Sequence, residues 1–197
     1  MKIRFVSPIL VLASIWLVCI ATACNREPKW RGTPVAPVLV IPTLSFADSG
    51  GAPIIFRPAA REASMVFFGY TNCPDVCPTT LSDWTRVKAA LGNDASRVHF
   101  VFVSVDPSRD TPAVAQRYVA QFDASFRGLS GDSATTAAVQ KAFGVASAKQ
   151  ASASAEGYLV GHPAQTFLMD DRGHVRVSYA FGAGWDAMSA DLKQLLR

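Results

Sequence analysis

The sequence predicts an α/β fold: one mixed β-sheet flanked by helices. Three observations carry that prediction. First, "ASMVFFGY" (Ala63 to Tyr70) and "RVHFVFVSVD" (Arg97 to Asp106) are apolar runs without the alternation of a half-wet strand, so they read as strands buried on both faces. Second, the segment between them has helical spacing, which makes a β-α-β unit. Third, "AQTFLMDDRGHVRVSYAF" reads as two strands around a turn at Asp170 to Gly173, followed by a last helix from about Trp185 to Leu196. A β-α-β half followed by a β-β-α half is the thioredoxin-like pattern, with helices on both faces of the sheet.

The elements are justified in order from the N-terminus. Residues 1–23, "MKIRFVSPILVLASIWLVCIATA", have a basic start at Lys2 and Arg4, an apolar run from Ile9 to Ala21, and small residues before Cys24. This is the layout of a secretory signal peptide. The run falls short of the roughly 20 apolar residues that span a bilayer; a retained membrane anchor is the alternative. "ATAC" resembles a bacterial lipobox, which would place lipid on Cys24 and remove Cys19 with the leader. Residues 24–42, with four prolines and little periodicity, read as a tether whose later part, "VLVI", has the option of packing on the domain. The domain is expected over 43–197. It opens on an N-terminal β-hairpin around Ser49-Gly50-Gly51.

In the first predicted helix, Asp75 to Leu91, the residues Leu81, Trp84, Val87 and Leu91 share one face. "TPAVAQRYVAQF" (Thr111 to Phe122) begins Thr-Pro, a helix-start signal. "SATTAAVQKAFG" is another helix, ending at Gly144. "VASAKQASASAEG" (Val145 to Gly157) is Ala/Ser-rich with no apolar stripe and reads as a mobile surface loop. No internal repeat and no second domain are evident.

Composition narrows the function. Half of the 197 residues are hydrophobic, enough for a sizeable core. The net charge is +4, and two of the positive charges lie in the leader, so the remainder is close to +2. Lys and Arg are scattered rather than clustered, which argues against a nucleic-acid partner.

Of four cysteines, only Cys73 and Cys77 remain once the leader and Cys24 are set aside. A lone close pair in an exported protein points to redox or metal chemistry. Pro78 fits only in the first turn of a helix, so the helix begins near Asp75 to Pro78. Residues four apart then face one way, and both sulfurs sit at a helix N-terminus, which favours thiolate. The third intervening residue opens the loop beyond that of a C-x-x-C and leaves room for an ion. Soft thiolates suit Cu(I) and Zn. A structural pair, free or disulfide-bonded, is the plainer alternative.

A third ligand is sought among three histidines. His99 opens a buried strand and reads as structural; His174 follows a turn and reads as solvated. His162, in "YLVGHPAQTF", immediately precedes a strand that runs antiparallel to those ending at Tyr70 and Asp106. Its start therefore lies at the sheet edge where they end, beside the cysteines. Asp106 ends the second strand at that same edge. It is either a turn-former before Pro107 or a carboxylate that orients a ligand.

"FFGYTNCPDVCPTTL" and "FVSVDPSRDTP", with His162 downstream, closely resemble the Sco/SenC family over about residues 43 to 197. The resemblance implies a membrane-tethered, thioredoxin-like copper protein of cytochrome c oxidase assembly. It implies Cys73, Cys77 and His162 as the ligands of one copper ion, Cu(I) or Cu(II), and Asp106 as the acidic residue near the site. Departures are Gly161, where the family usually has Asp before its histidine, and Pro163, where Ser or Thr is more common.

The expected function is thus a metallochaperone rather than an enzyme. It would deliver or prepare copper for the dinuclear site of an oxidase subunit, with that subunit or another periplasmic copper chaperone as partner. It would be held in the bacterial cell envelope, facing the periplasm, by lipid on Cys24. The rival is a thiol–disulfide reductase that uses Cys73 and Cys77 without metal. A peroxiredoxin-like peroxidase is a weaker third reading, because "CPDVCP" does not resemble the context of a peroxidatic cysteine.

Overall fold

In the computed structural model of the chain, residues 29–47, 52–152 and 157–197 are described. The leader, the lipobox with Cys24, and the hairpin turn at Ser49 to Gly51 lie outside the described residues. The elements are β1 (Thr33–Val40), β2 (Leu44–Ala47), β3 (Pro53–Phe56), β4 (Ala63–Gly69), α1 (Val76–Leu91), β5 (Val98–Ser104), α2 (Pro112–Ala120), β6 (Arg127–Leu129), α3 (Ser133–Ala142), β7 (Ala148–Ala151), β8 (Tyr158–Gly161), β9 (Thr166–Met169), β10 (His174–Tyr179) and α4 (Trp185–Leu195).

Every residue of β4 is buried, because its two faces feed two cores. Met65 and Phe67 point to one cluster with Leu81, Trp84 and Val87 of α1 and Leu192 of α4. Val66 and Phe68 point to the other, with Val139 and Phe143 near α3 and Phe46 and Phe56 of the N-terminal hairpin. Alternation of side chains along a strand makes this division automatic. The six-stranded sheet has the order β1-β10-β9-β4-β5-β6. Strands β4, β5 and β6 are parallel; β9 runs antiparallel to β4, with Phe67 opposite Thr166. The fold is the expected thioredoxin-like mixed sheet, and β2 and β3 pair antiparallel as the expected hairpin.

The helix starts follow the sequence signals. Thr111 Oγ1 accepts from Val114 N–H at 3.3 Å, with Pro112 opening α2. Asp132 caps α3 by accepting from Thr135 N–H at 2.7 Å.

Three segments differ from the sequence expectation. Of the expected tether over 24–42, the later part enters the sheet: Thr33 to Val40 form the edge strand β1 against β10, and the option that "VLVI" packs on the domain is the one realised, with Ile41 buried. Its register breaks between Pro34 and Leu39. Proline has no N–H for a ladder, so such a strand sits at an edge and carries no alternating pattern. The buried Asp191 carboxylate secures its start by accepting from the backbone N–H groups of Arg31 (2.9 Å) and Gly32 (3.0 Å). The expected loop over 145–157 contains β7, which pairs with β8 in a separate two-stranded sheet. All four β7 residues are exposed, so pairing there is a backbone matter with no apolar signature. Finally, β6 is three residues long, too short for a pattern. A Cβ on its Gly128 would lie 2.3 Å from the Ala115 carbonyl, so α2 packs directly on this backbone. Among the described residues, no helix is long and apolar enough to cross a membrane.

Candidate metal centre

The site grows from the end of β4. After Gly69 the chain turns, with Cys73 N–H donating to Tyr70 O at 3.2 Å. Asp75 is the cap residue, and Thr79 N–H makes the first helical bond to Asp75 O at 3.1 Å. Val76, Cys77 and Pro78 thus occupy the first turn, where the missing N–H of proline costs nothing. The Cys77 N–H, one of the unpaired donors of that turn, aims at Cys73 Sγ at 3.5 Å. Cys77 itself is fully buried, and Cys73 partly so.

The loop is held from β5. Asp110, 1% exposed, accepts from Thr71 N–H (2.9 Å), Thr71 Oγ1–H (2.6 Å) and Ser104 Oγ–H (2.6 Å). The sequence reading did not single out Asp110. The available signal was a second carboxylate in "FVSVDPSRDTP", immediately before a helix already capped by Thr111. Nothing in the sequence paired it with Thr71.

Electrostatics divide the two thiols. Cys73 is pulled down to about 4, first by the hydrogen bond from the Cys77 thiol and then, against the cost of burial, by bonds from His162 and from the backbone N–H groups of Cys77 and Asp75. Cys77 is pushed up, first by burial and then by the neighbouring Cys73 thiolate. Of the metal-free pair, the outer sulfur is the one favoured as thiolate and the inner sulfur the one favoured as thiol.

His162 follows β8 and precedes β9, at the edge where β4 and β5 end. Its ring stands edge-on to Tyr70 and Phe67, with centroids 5.7 and 5.8 Å apart. Nδ1 lies 3.2 Å from the Pro163 carbonyl. A carbonyl can only accept, so this contact assigns a proton to Nδ1. Nε2 is left on the sulfur side, 3.7 Å from Cys77 Sγ. There it offers a lone pair to a metal or, when protonated too, a donor to the Cys73 thiolate. The acceptor from residue 163 is backbone, so proline at that position supplies it.

The sulfurs of Cys73 and Cys77 and a ring nitrogen of His162 all lie within 4.8 Å of one another. With metal–sulfur bonds of about 2.3 Å and metal–nitrogen bonds of about 2.0 Å, as for zinc, the 3.7 Å between Cys77 Sγ and His162 Nε2 fits two ligands of one ion. Asp106 is buried at the same edge but gives its carboxylate to Arg109 (Nε to Oδ2, 2.5 Å) and Tyr158 (Oη–H to Oδ1, 2.8 Å). The other histidines lie at the opposite ends of their strands: His99 pairs with Glu62 at 2.7 Å and His174 with Asp170 at 3.3 Å.

A family model described as SCO1/SenC matches residues 40–197. The SCO2-like protein of Rickettsia felis is 34% identical over 111 residues, 56% of this chain and 54% of that protein. The chain thus spans about half the length of this curated relative. Among solved structures, apo Sco1 from Thermus thermophilus has a TM-score of 0.73 at 34% identity, covering 87% of this chain and 99% of its own. ScoI of Bradyrhizobium japonicum with copper bound has a TM-score of 0.70 at 35% identity, covering 79% and 99%.

Proposed function

The chain belongs to the SCO1/SenC family, and from that premise we propose that it is a membrane-anchored copper-binding protein of cytochrome c oxidase assembly. One copper ion is held by Cys73, Cys77 and His162 and is delivered to, or prepared for, the dinuclear copper site of an oxidase subunit. The observation that carries this reading is the convergence of the three donor atoms within 4.8 Å. The copper-bound solved relative at 35% identity supports the choice of metal. Two thiolates favour the reduced ion, and the imidazole makes the oxidised ion tolerable. Loading requires the Cys77 thiol to give up its proton, so uptake releases protons and weakens as pH falls. With three protein donors among the described residues, the site can pass its ion on by ligand exchange with a partner. That partner is the oxidase copper-binding subunit or another periplasmic copper chaperone.

Metal analysis of the reduced domain, with spectra after adding Cu(I) or Cu(II), tests the site. Cys73→Ala or Cys77→Ala should abolish tight binding of both ions. His162→Ala should keep Cu(I) and bind Cu(II) far more weakly. Unchanged Cu(II) binding in the His162 variant would sink the three-ligand site. The anchor in this reading is lipid on Cys24, placed on the periplasmic side of the cell envelope. It predicts that Cys24→Ser moves the protein from the membrane to the soluble fraction; continued membrane association would favour a retained leader helix.

One observation favours a second reading. Electrostatics favour thiolate on the outer sulfur and thiol on the inner one, which is the division of labour of an attacking and a resolving cysteine. Such a protein reduces a partner's metal-site disulfide and is itself oxidised to the Cys73–Cys77 disulfide. Full reductase activity in His162→Ala, with Cu(II) binding lost, would assign the function to thiol exchange.

A further inference from the structure

The element that leads into His162 lies outside the main sheet. Strands β7 and β8 pair with each other and with no strand of the six-stranded sheet. An open groove, lined by Ser108, Thr136, Gln140, Ser147 and Val160, separates the base of this hairpin from α3. Besides the buried Val160 and a bond from Lys149 Nζ to Ser108 Oγ at 3.3 Å, the hairpin is held by a cluster of side chains at Tyr158, the first residue of β8. Arg109, in the turn after β5, donates from Nε to Asp106 Oδ2 at 2.5 Å and from Nη1 to the Tyr158 carbonyl at 3.1 Å. Its guanidinium carbon lies 3.7 Å from the centroid of the Tyr158 ring. The Tyr158 hydroxyl in turn donates to Asp106 Oδ1 at 2.8 Å. Asp106 is 1% exposed, so both bonds form away from water, where charge-assisted bonds are strongest and a lost partner is costly.

The same cluster reaches the imidazole from the other side. The Arg109 guanidinium carbon lies 5.7 Å from the centroid of the Tyr70 ring. Tyr70 stands edge-on to His162, and its phenol is hydrogen-bonded by the backbone of Val160, two residues before the histidine. One guanidinium therefore touches both the strand that leads into His162 and the ring that flanks it. Cys73 and Cys77 are positioned chiefly by β4, α1 and Asp110, and they meet this cluster through the backbone of Tyr70, whose carbonyl accepts from Cys73 N–H at 3.2 Å.

We infer that Arg109 and Tyr158 are positioning residues for His162: they fasten the β7–β8 hairpin to Asp106 and so set how well the imidazole meets the two sulfurs. The inference rests on the copper-site reading for its effect on metal, but the fastening itself is a property of the metal-free protein. Partners that orient a metal-binding histidine typically matter by about 10–100-fold in affinity. The imidazole counts mainly for the oxidised ion, so the effect falls on Cu(II) and spares Cu(I).

Two variants test this. Tyr158→Phe removes one hydroxyl bond and keeps the ring under the guanidinium. Arg109→Lys keeps the charge and loses the fork, which avoids a bare buried carboxylate. In the metal-free protein, deuterium exchange should quicken at residues 158–162 and stay unchanged across β4 and α1. With metal, Cu(II) affinity should fall about 10–100-fold with a changed charge-transfer spectrum, while Cu(I) affinity stays within about threefold. Wild-type exchange at 158–162 in both variants would overturn the fastening. Quickened exchange with wild-type Cu(II) affinity and spectrum would overturn the positioning role. If the wild-type protein binds neither copper ion, the copper reading fails, and the exchange data still decide the fastening.

Discussion

The two sides of the candidate metal centre are built differently. The sulfur side is part of the core. Cys77 is fully buried, Cys73 packs on both hydrophobic clusters, and the loop between β4 and α1 is held at Thr71 by the buried Asp110. The nitrogen side hangs on a two-stranded hairpin outside the main sheet, fastened by Arg109 and Tyr158. The lesson is one of separable control. Under the proposed copper reading, the two soft donors are fixed by the fold itself, whereas the imidazole follows a hairpin outside the main sheet whose buried anchor in the core is Val160.

The strongest way to sharpen this comparison is to ask which side sets the Cys73 thiolate. The Cys77 thiol is the leading cause of its low pKa, and His162 contributes less. Alkylation of the metal-free reduced protein should therefore modify Cys73 and leave the buried Cys77 untouched. The rate should hold down to about pH 5 and then fall with a midpoint at about 4. In Cys77→Ala that midpoint should rise most; in His162→Ala it should rise less. A larger rise in the His162 variant would break the comparison, because the hairpin would then govern the sulfur side as well. The sign for stability follows from the same shift. Cys73 binds its proton more weakly folded than at the ordinary value of 9.0. Its contribution to the reduced protein is thus full above about pH 9 and is lost as pH falls towards 4.

The same division explains what was legible in the sequence. The sulfur side was readable from local signals: the apolar run of β4, the Cys73–Cys77 spacing, and Pro78, which fixed the helix start. His162 was placed near the cysteines by topology alone, since a strand antiparallel to β4 must begin where β4 ends. The supports of both donors were not readable. Thr71 meets Asp110 across 39 positions, and Arg109 meets Tyr158 across 49. Side-chain bonds of that span leave no periodic trace. The segments misread as tether and loop, β1 and β7, are mostly exposed. Periodicity reports only which face is dry, so a wet edge strand looks like a linker. The Sco/SenC resemblance rested on the two segments that surround the sulfur side, together with His162 downstream.

A smaller effect is expected from Gly69→Ala, and it probes the sulfur side from within the core. A Cβ on Gly69 would lie 2.6 Å from Cys77 Sγ and 2.7 Å from the Phe102 ring. Neither neighbour can move freely, because Cys77 is on α1 and Phe102 is wedged between Phe67 (6.2 Å) and Tyr118 (5.6 Å). Added volume in such a place typically costs about 1–3 kcal/mol, which thermal or denaturant unfolding would register. Displacing Cys77 Sγ moves a donor shared by both oxidation states, so Cu(I) and Cu(II) should weaken together. That outcome is opposite in kind to the hairpin variants, which spare Cu(I). If Gly69→Ala weakened Cu(II) alone, the sulfur side would be as adjustable as the nitrogen side, and the contrast between a fixed pair of donors and a movable third would fail.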